Sequence, residues 1–486
     1  MSHRSLHLTI AAAMLALLGL TALGGFGGPT RLEDIRKRGT LAVAMRVGPV
    51  SFVPAEGNGA ASEPSGFEYE LLAGFAESLA VELDVRPVAS VEQAMALLEN
   101  GTVDLVAAGV SATPARRERF AFTRGYLETQ PRIVHRNDVD DAESVEDLAG
   151  QRVEALAHTV HALRLREMAN DREALTWRAL QRSTTEELLY RVWRGRSDYA
   201  LTDELFLALN RPFYPELRAG MAIGPPRGLA WMMHISDQEL LDAANVYLEG
   251  RRDDGMLAVL RDEHFGHLQE FDYVGTRTFL RHITERLPRF RDLFTEAAET
   301  NGIDWRLLAA VGYQESHWDP DAVSPTGVRG VMMLTQDTAA FVGIDNRRDP
   351  AQSIRGGAAY LASLRERMPE DIPEPSRTWL TLAAYNVGLG HLEDARRITQ
   401  MRGGNPDEWF DVRSNLPLLA KKEWHQRVTH GYARGWEPVR YVENIRRYFH
   451  LLERVTQPGQ PETPSVAREA LLPRPLRIPA SIESML

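Results

Sequence analysis

Between Arg31 and about Gly266, short runs rich in β-branched residues alternate with segments whose apolar positions recur at helical spacing. "GTLAVAMRV" (39–47) reads as a strand. "GFEYELLAGFAESLAVEL" (66–83) reads as a helix with Leu71, Leu72, Phe75 and Leu79 on one stripe. "LDVRPVA" is again strand-like, "VEQAMALLENG" a helix ended by Gly101, and "VDLVAAGV" a buried strand. This alternation predicts an α/β domain with helices flanking a largely parallel sheet. Past Phe271 the strand-like runs stop. "TRTFLRHITERLPRFRDLFTEAAETNG", "IDWRLLAAVGYQES", "GGAAYLASLRERM", "TWLTLAAYNVG" and "VRYVENIRRYFHLLERV" all carry helical periods, so residues 271–455 are predicted to form an all-α domain. The Pro-rich remainder, 456–486, has the composition of a disordered tail.

One position breaks the helical pattern. Leu307, Leu308 and Val311 form an apolar stripe, and Glu315, four residues on, puts a carboxylate where the period expects an apolar side chain. Asp304 is the predicted N-cap, which sets Glu315 in the last turn. Burial there disfavours ionisation and raises the carboxyl pKa, the property a general acid needs near neutral pH. A satisfied core glutamate or an interhelical ion pair accounts for the same pattern.

Bulk properties narrow the classes. A chain of 486 residues exceeds a single core. A formal charge of −11 argues against a nucleic-acid partner. With no cysteine there is no thiol nucleophile, disulfide or lipid-acceptor cysteine. The histidines show no ligand spacing such as H-E-x-x-H, and neither metal nor cofactor is implied. Residues 1–30 place His3, Arg4 and His7 before an uncharged apolar run from Leu8 to Gly28, the plan of a secretory signal peptide. The run is also long enough for a retained anchor, at about 20 residues.

Two resemblances follow from motif order. "GFEYELLAGFAESL", "LLENGTVDLVAAGVSATPARRERFAFTRGY", "VEDLAGQRVEAL" and "LEGRRDDGMLAVLRDEHFG" occur as in periplasmic solute-binding proteins of the polar amino-acid type. The resemblance implies a two-lobed domain over residues 31–270, its second lobe at about 130–225, closing on a small ligand such as an amino acid or a muropeptide. It assigns Arg116 to a ligand carboxylate, Ser111 to a hydroxyl donor and Asp203 to a ligand ammonium. A solvated basic turn at 114–119 and a helix cap at Asp203 are the alternatives.

Downstream, "ES" (315–316), "SPTGVRGVMMLT" (324–335), "AAYNVG" (383–388) and "YVENI" (441–445) resemble, in order and spacing, the lytic transglycosylases of the soluble-lytic-transglycosylase, goose-lysozyme-like type. With the upstream binding-protein-like domain, the whole resembles the membrane-bound lytic murein transglycosylase F type. This implies a lysozyme-like helical domain acting on peptidoglycan glycan strands at the periplasmic face of the outer membrane, peripherally attached. It implies Glu315 as acid/base, with Ser316, Ser324, Gly330, Met332, Met333, Tyr385, Asn386 and Tyr441 serving the substrate. Met333 stands where the family commonly has Gln, and Ser353 where it usually has Asn. A hydrolytic muramidase, or a sensory protein without catalysis, remains open on the same scaffold.

Overall fold

The computed structural model describes residues 29–54, 64–170, 174–181, 183–268, 273–323 and 327–456. The N-terminal segment, the Pro-rich tail and Ser324 lie outside them. Twelve strands are present among these residues: β1 Thr40–Arg46, β2 Glu82–Val88, β3 Leu105–Ala107, β4 Phe120–Phe122, β5 Leu127–Thr129, β6 Pro131–Arg136, β7 Val153–Leu156, β8 Trp177–Leu180, β9 Tyr199–Asp203, β10 Leu217–Ala222, β11 Arg227–Leu229 and β12 Met232–His234.

The chain divides into two compact units. The first holds the sheet β2-β1-β3-β12-β4. β1 runs parallel to both β2 and β3, while β12 is antiparallel to its neighbours. Ala44, Val106, Met232, Leu98 and Phe120 fill one face, which the Val91–Glu99 helix covers. The helix over 66–83 is shorter than its apolar stripe predicts, spanning Phe67–Ser78. Ala80 takes a left-handed φ of 58° and turns the chain into β2, so the β-branched stretch from Val81 wins locally.

The second unit begins with the sheet β10-β6-β9-β7-β8, again mixed. It continues into the helical region, where no strand occurs among the described residues from Tyr273 to Thr456. The predicted helix through "TERLPRF" is broken into Tyr273–Glu285 and Arg291–Asn301 by a 3₁₀ turn at Leu287–Arg289, because Pro288 cannot donate to an α-helical ladder. Helix Trp305–Ser316 is the central element, and Leu307 to Tyr313 are buried on every side of it. Its fully covered packing requires close approach at Gly312, where a Cβ would meet the Phe294 ring at 2.9 Å.

The sheet lobe of this unit is tied to the helical domain. Glu216 accepts from Trp193 Nε1 at 2.7 Å and pairs with Arg277 at 2.6 Å. Arg454 donates to Leu209 O and to Asn210 Oδ1, and its guanidinium lies 4.6 Å from the Phe213 ring centre. The stretch "LEGRRDDGMLAVLRDEHFG" is divided between the two units. Gln238–Asp253 belongs to the first unit, whereas residues 257–265 pack with the helical domain through Arg446 and Trp379. No described helix is long and apolar enough to cross a membrane.

Candidate active site

Asp304 caps the central helix as its sequence predicts, accepting from Arg306 N at 2.7 Å. Eleven residues on, Glu315 is half-buried in the last turn. Its nearest polar partner is Tyr441, whose hydroxyl donates to Glu315 Oε1 at 2.5 Å. Burial pushes the Glu315 carboxyl up to about 7, and the Tyr441 hydrogen bond opposes the rise without cancelling it. Burial and the adjacent Glu315 charge hold the Tyr441 and Tyr385 hydroxyls well above their usual range, so both remain protonated.

The helix ends just past the acid. His317 and Trp318 both adopt left-handed φ values, 53° and 55°. Trp318 is buried and its indole donates to Ala309 O at 2.8 Å, which anchors this strained turn beneath the helix. Arg286 holds the turn from outside, donating to His317 O at 2.9 Å.

Ser316 staples the helix to the glycine loop. Its Oγ lies 2.8 Å from Val331 O and 3.1 Å from Gly312 O. It is buried and faces protein on both sides, so the expected role of its side chain at the substrate gives way to a structural one. The same correction applies to Met332, which is fully buried; a Cβ at Gly357 would lie 2.7 Å from its side chain. What Met332 contributes is backbone: its carbonyl accepts from Tyr385 Oη at 3.2 Å, and its N–H donates to Ser353 Oγ at 3.1 Å. Gly330 has φ 86°, and a Cβ there would stand 2.0 Å from Arg347 O, so only glycine fits. Met333 is half-buried at φ 46°, and its N–H closes the turn by donating to Gly330 O at 3.1 Å.

Tyr385 stacks on Tyr441 with ring centres 6.5 Å apart and planes 14° from parallel. Asn386, next in the chain, is exposed at the helix end, where Gly388 with φ 87° stops the helix. The structure therefore gathers Glu315, Tyr441, Tyr385 and the Gly330–Met333 loop at one place. Two contributors escaped the sequence reading. Arg347 clamps the loop, donating to Leu334 O at 2.7 Å and Gly327 O at 3.3 Å. Ser353, notable in the sequence only as a departure from Asn, is completely buried beneath it.

In the first unit Ser111 is buried, and its carbonyl accepts from Arg116 Nη1 at 3.0 Å. Arg116 is half-buried, the other residues of the 114–119 turn are exposed, and Thr113 caps its short helix by accepting from Arg116 N at 3.2 Å. Glu68, unremarked in the sequence, lies under this loop: its carboxylate accepts from Gly109 N at 3.0 Å and from the Ser51 and Tyr126 hydroxyls. In the second unit Asp203 occupies an N-cap position without making a side-chain cap. It is buried and turned toward His161 Nε2 at 3.3 Å and Arg227 at 3.8 Å.

Comparison with known proteins gives two family matches. Residues 40–267 match the bacterial extracellular solute-binding proteins, family 3, and residues 292–407 match the transglycosylase SLT domain. Membrane-bound lytic murein transglycosylase F 1 of Alkalilimnicola ehrlichii is 47% identical over 452 residues, covering 93% of this chain and 90% of that protein. Membrane-bound lytic murein transglycosylase F of Marinobacter nauticus is 41% identical over 452 residues, 93% of this chain and 89% of that protein. Among solved structures, a mutant of ArgBP from T. maritima covers 48% of this chain and 99% of its own at 22% identity, with a TM-score of 0.42.

Proposed function

The chain belongs to the membrane-bound lytic murein transglycosylase F family and is a peptidoglycan-cleaving lytic transglycosylase; from that premise we propose that Glu315 alone performs both proton transfers of the reaction. With a carboxyl near 7, Glu315 is protonated often enough to donate to the glycosidic oxygen between N-acetylmuramic acid and N-acetylglucosamine. The Tyr441 bond occupies Oε1, leaving Oε2 as the oxygen that carries the mobile proton. The substrate's acetamido group assists at the anomeric carbon. The resulting carboxylate then takes the proton of the muramyl 6-hydroxyl, and that oxygen closes a 1,6-anhydro ring.

The raised carboxyl beside a protonated tyrosine is the observation that carries this reading. Among the described residues no second carboxylate contributes to the shift at Glu315, which fits a route needing only one acid. A two-carboxylate glycosidase would need its partner about 5–9.5 Å away. Tyr385, Asn386 and the Gly330–Met333 loop would line the sugar sites. Mass spectrometry of digested sacculi tests the proposal. Anhydromuropeptides, absent with Glu315→Gln, are expected; reducing-end products would establish a hydrolytic muramidase instead.

The solute-binding-like domain would take an amino acid or muropeptide, with Ser111 and Arg116 as the proposed contacts in the first unit. Calorimetry with these ligands on wild type and Arg116→Ala is the corresponding test. Export and peripheral attachment at the outer membrane complete the proposal, since the relatives are named as membrane-bound.

A further inference from the structure

Phe341 ends the Gln336–Phe341 helix with 68% of its surface exposed. Single exposed apolar residues are ordinary and carry no meaning alone. Phe341 differs because its ring is one end of a continuous aromatic series that begins at the catalytic acid. Tyr441 touches Glu315; Tyr385 stacks on Tyr441 at 6.5 Å; Tyr360 meets Tyr385 at 5.3 Å; Phe341 meets Tyr360 edge-on at 6.4 Å and 85°. Burial falls in the same order, from Tyr441 at 5% exposure through half-buried Tyr385 and Tyr360 to Phe341. The series thus leads from the buried acid to an exposed ring at the surface.

The outer ring is held on a rigid element. Leu334 before the helix and Val342 and Ile344 after it converge on Gly356, where a Cβ would meet Ile344 at 2.8 Å, Leu334 at 3.0 Å and Val342 at 3.2 Å. This close approach locks the short helix against Pro350–Glu366, and Thr335 caps it through Thr338 N at 3.0 Å. Phe341 is thus presented by packing.

We propose that Phe341, backed by Tyr360, is a distal stacking platform for the glycan strand, receiving the apolar ring face of an N-acetylhexosamine one or more residues from the cleaved bond. A pyranose chair presents axial C–H groups on its ring face, and the negative face of an exposed aromatic ring is their natural complement. The platform deepens the transglycosylase reading and rests on it for the identity of the polymer. It gives the enzyme a reason to favour long strands over fragments, because only a long strand reaches both Glu315 and Phe341.

Calorimetry with N-acetylglucosamine oligomers of increasing length, using full-length Glu315→Gln protein so that nothing is cleaved, tests it. Adding Phe341→Ala is expected to weaken the longer oligomers by about threefold to tenfold, with the loss shrinking as the oligomer shortens. Phe341→Trp should retain the affinity, and Val246→Ala, at an equally exposed site in the first unit, should not change it. Equal affinities with and without Phe341→Ala, a loss independent of length, or no binding of any oligomer would overturn the platform. If instead the length-dependent loss holds while wild type leaves sacculi intact, the platform stands and the transglycosylase mechanism falls.

Discussion

The hydroxyl of Tyr441 reaches Glu315 Oε1 at 2.5 Å across 126 residues of chain, and two opposing effects meet in that contact. Burial raises the carboxyl; the hydrogen bond lowers it. Tyr441→Phe removes only the lowering effect, so the Glu315 carboxyl should climb above about 7. Because the first step needs the protonated acid, the alkaline limb of the pH–rate profile should move to higher pH. The maximal rate should fall by about tenfold or more, the weight of one hydrogen bond to a charged group. A profile of kcat against pH that keeps its alkaline limb in Tyr441→Phe would remove Tyr441 from this role.

The same raised carboxyl has a consequence for stability. Its folded pKa, about 7, exceeds the unfolded value of 4.5, so the folded state binds the extra proton. The contribution is fully present below pH 4.5 and is lost as pH rises through 7, where folding requires a buried carboxylate. Glu315→Gln, which cannot ionise, should therefore be more stable than wild type at pH 8, by roughly 1–3 kcal/mol, and nearly equal to it at pH 4.5. Denaturant midpoints at the two pH values read the difference directly. An equal offset at both would show that Glu315 does not titrate as described.

Much of this site was legible in the chain because local rules agree with the fold. The Asp304 cap and the interrupted apolar stripe fixed both the start of the central helix and the odd position of Glu315. Gly330 and Gly388, both within the quoted motifs, sit at positive φ where the chain turns. What the pattern could not supply was direction. Met332 and Ser316 lie within the right motifs but point into protein, since a motif specifies a loop's path and not which of its side chains faces solvent. Arg347 and Ser353 act through backbone groups of a different segment, and no spacing rule in a single chain reports such contacts.

Ser353 makes that point testable. Its hydroxyl is the acceptor for Met332 N, in a site with no exposure. Ser353→Ala leaves a buried N–H unsatisfied at a cost of about 1–3 kcal/mol. The loop bearing Met333 should loosen as well, so kcat/KM on sacculi should fall by more than global stability accounts for at a temperature where the variant is folded. Unchanged denaturation and unchanged activity together would show that the loop holds without this bond.

The boundary between the binding-protein-like region and the helical domain yields the last expectation. Arg446 is fully buried and donates to Asp262 O at 2.7 Å, Glu263 O at 3.0 Å and Asp262 Oδ2 at 3.2 Å, with the Trp379 ring 5.4 Å from its guanidinium carbon. Arg413 reaches the same Asp262 at 2.6 Å, and Trp379 donates to Glu263 at 2.8 Å. A fragment beginning at residue 271 keeps both arginines and Glu443, which lies 3.3 Å from Arg446 and 3.0 Å from Arg413, but deletes Asp262 and Glu263 along with the helix-end carbonyls that Arg446 satisfies. The lost carbonyl and carboxylate partners of a fully buried guanidinium cost about 1–3 kcal/mol even with Glu443 retained, so this fragment should unfold more readily than one beginning at residue 257. Because Arg446 lies five positions beyond Tyr441 on the Trp436–Thr456 helix, the shorter fragment should also lose activity before it unfolds. Matching denaturation curves for the two fragments would place the functional boundary of the helical domain at 271 after all.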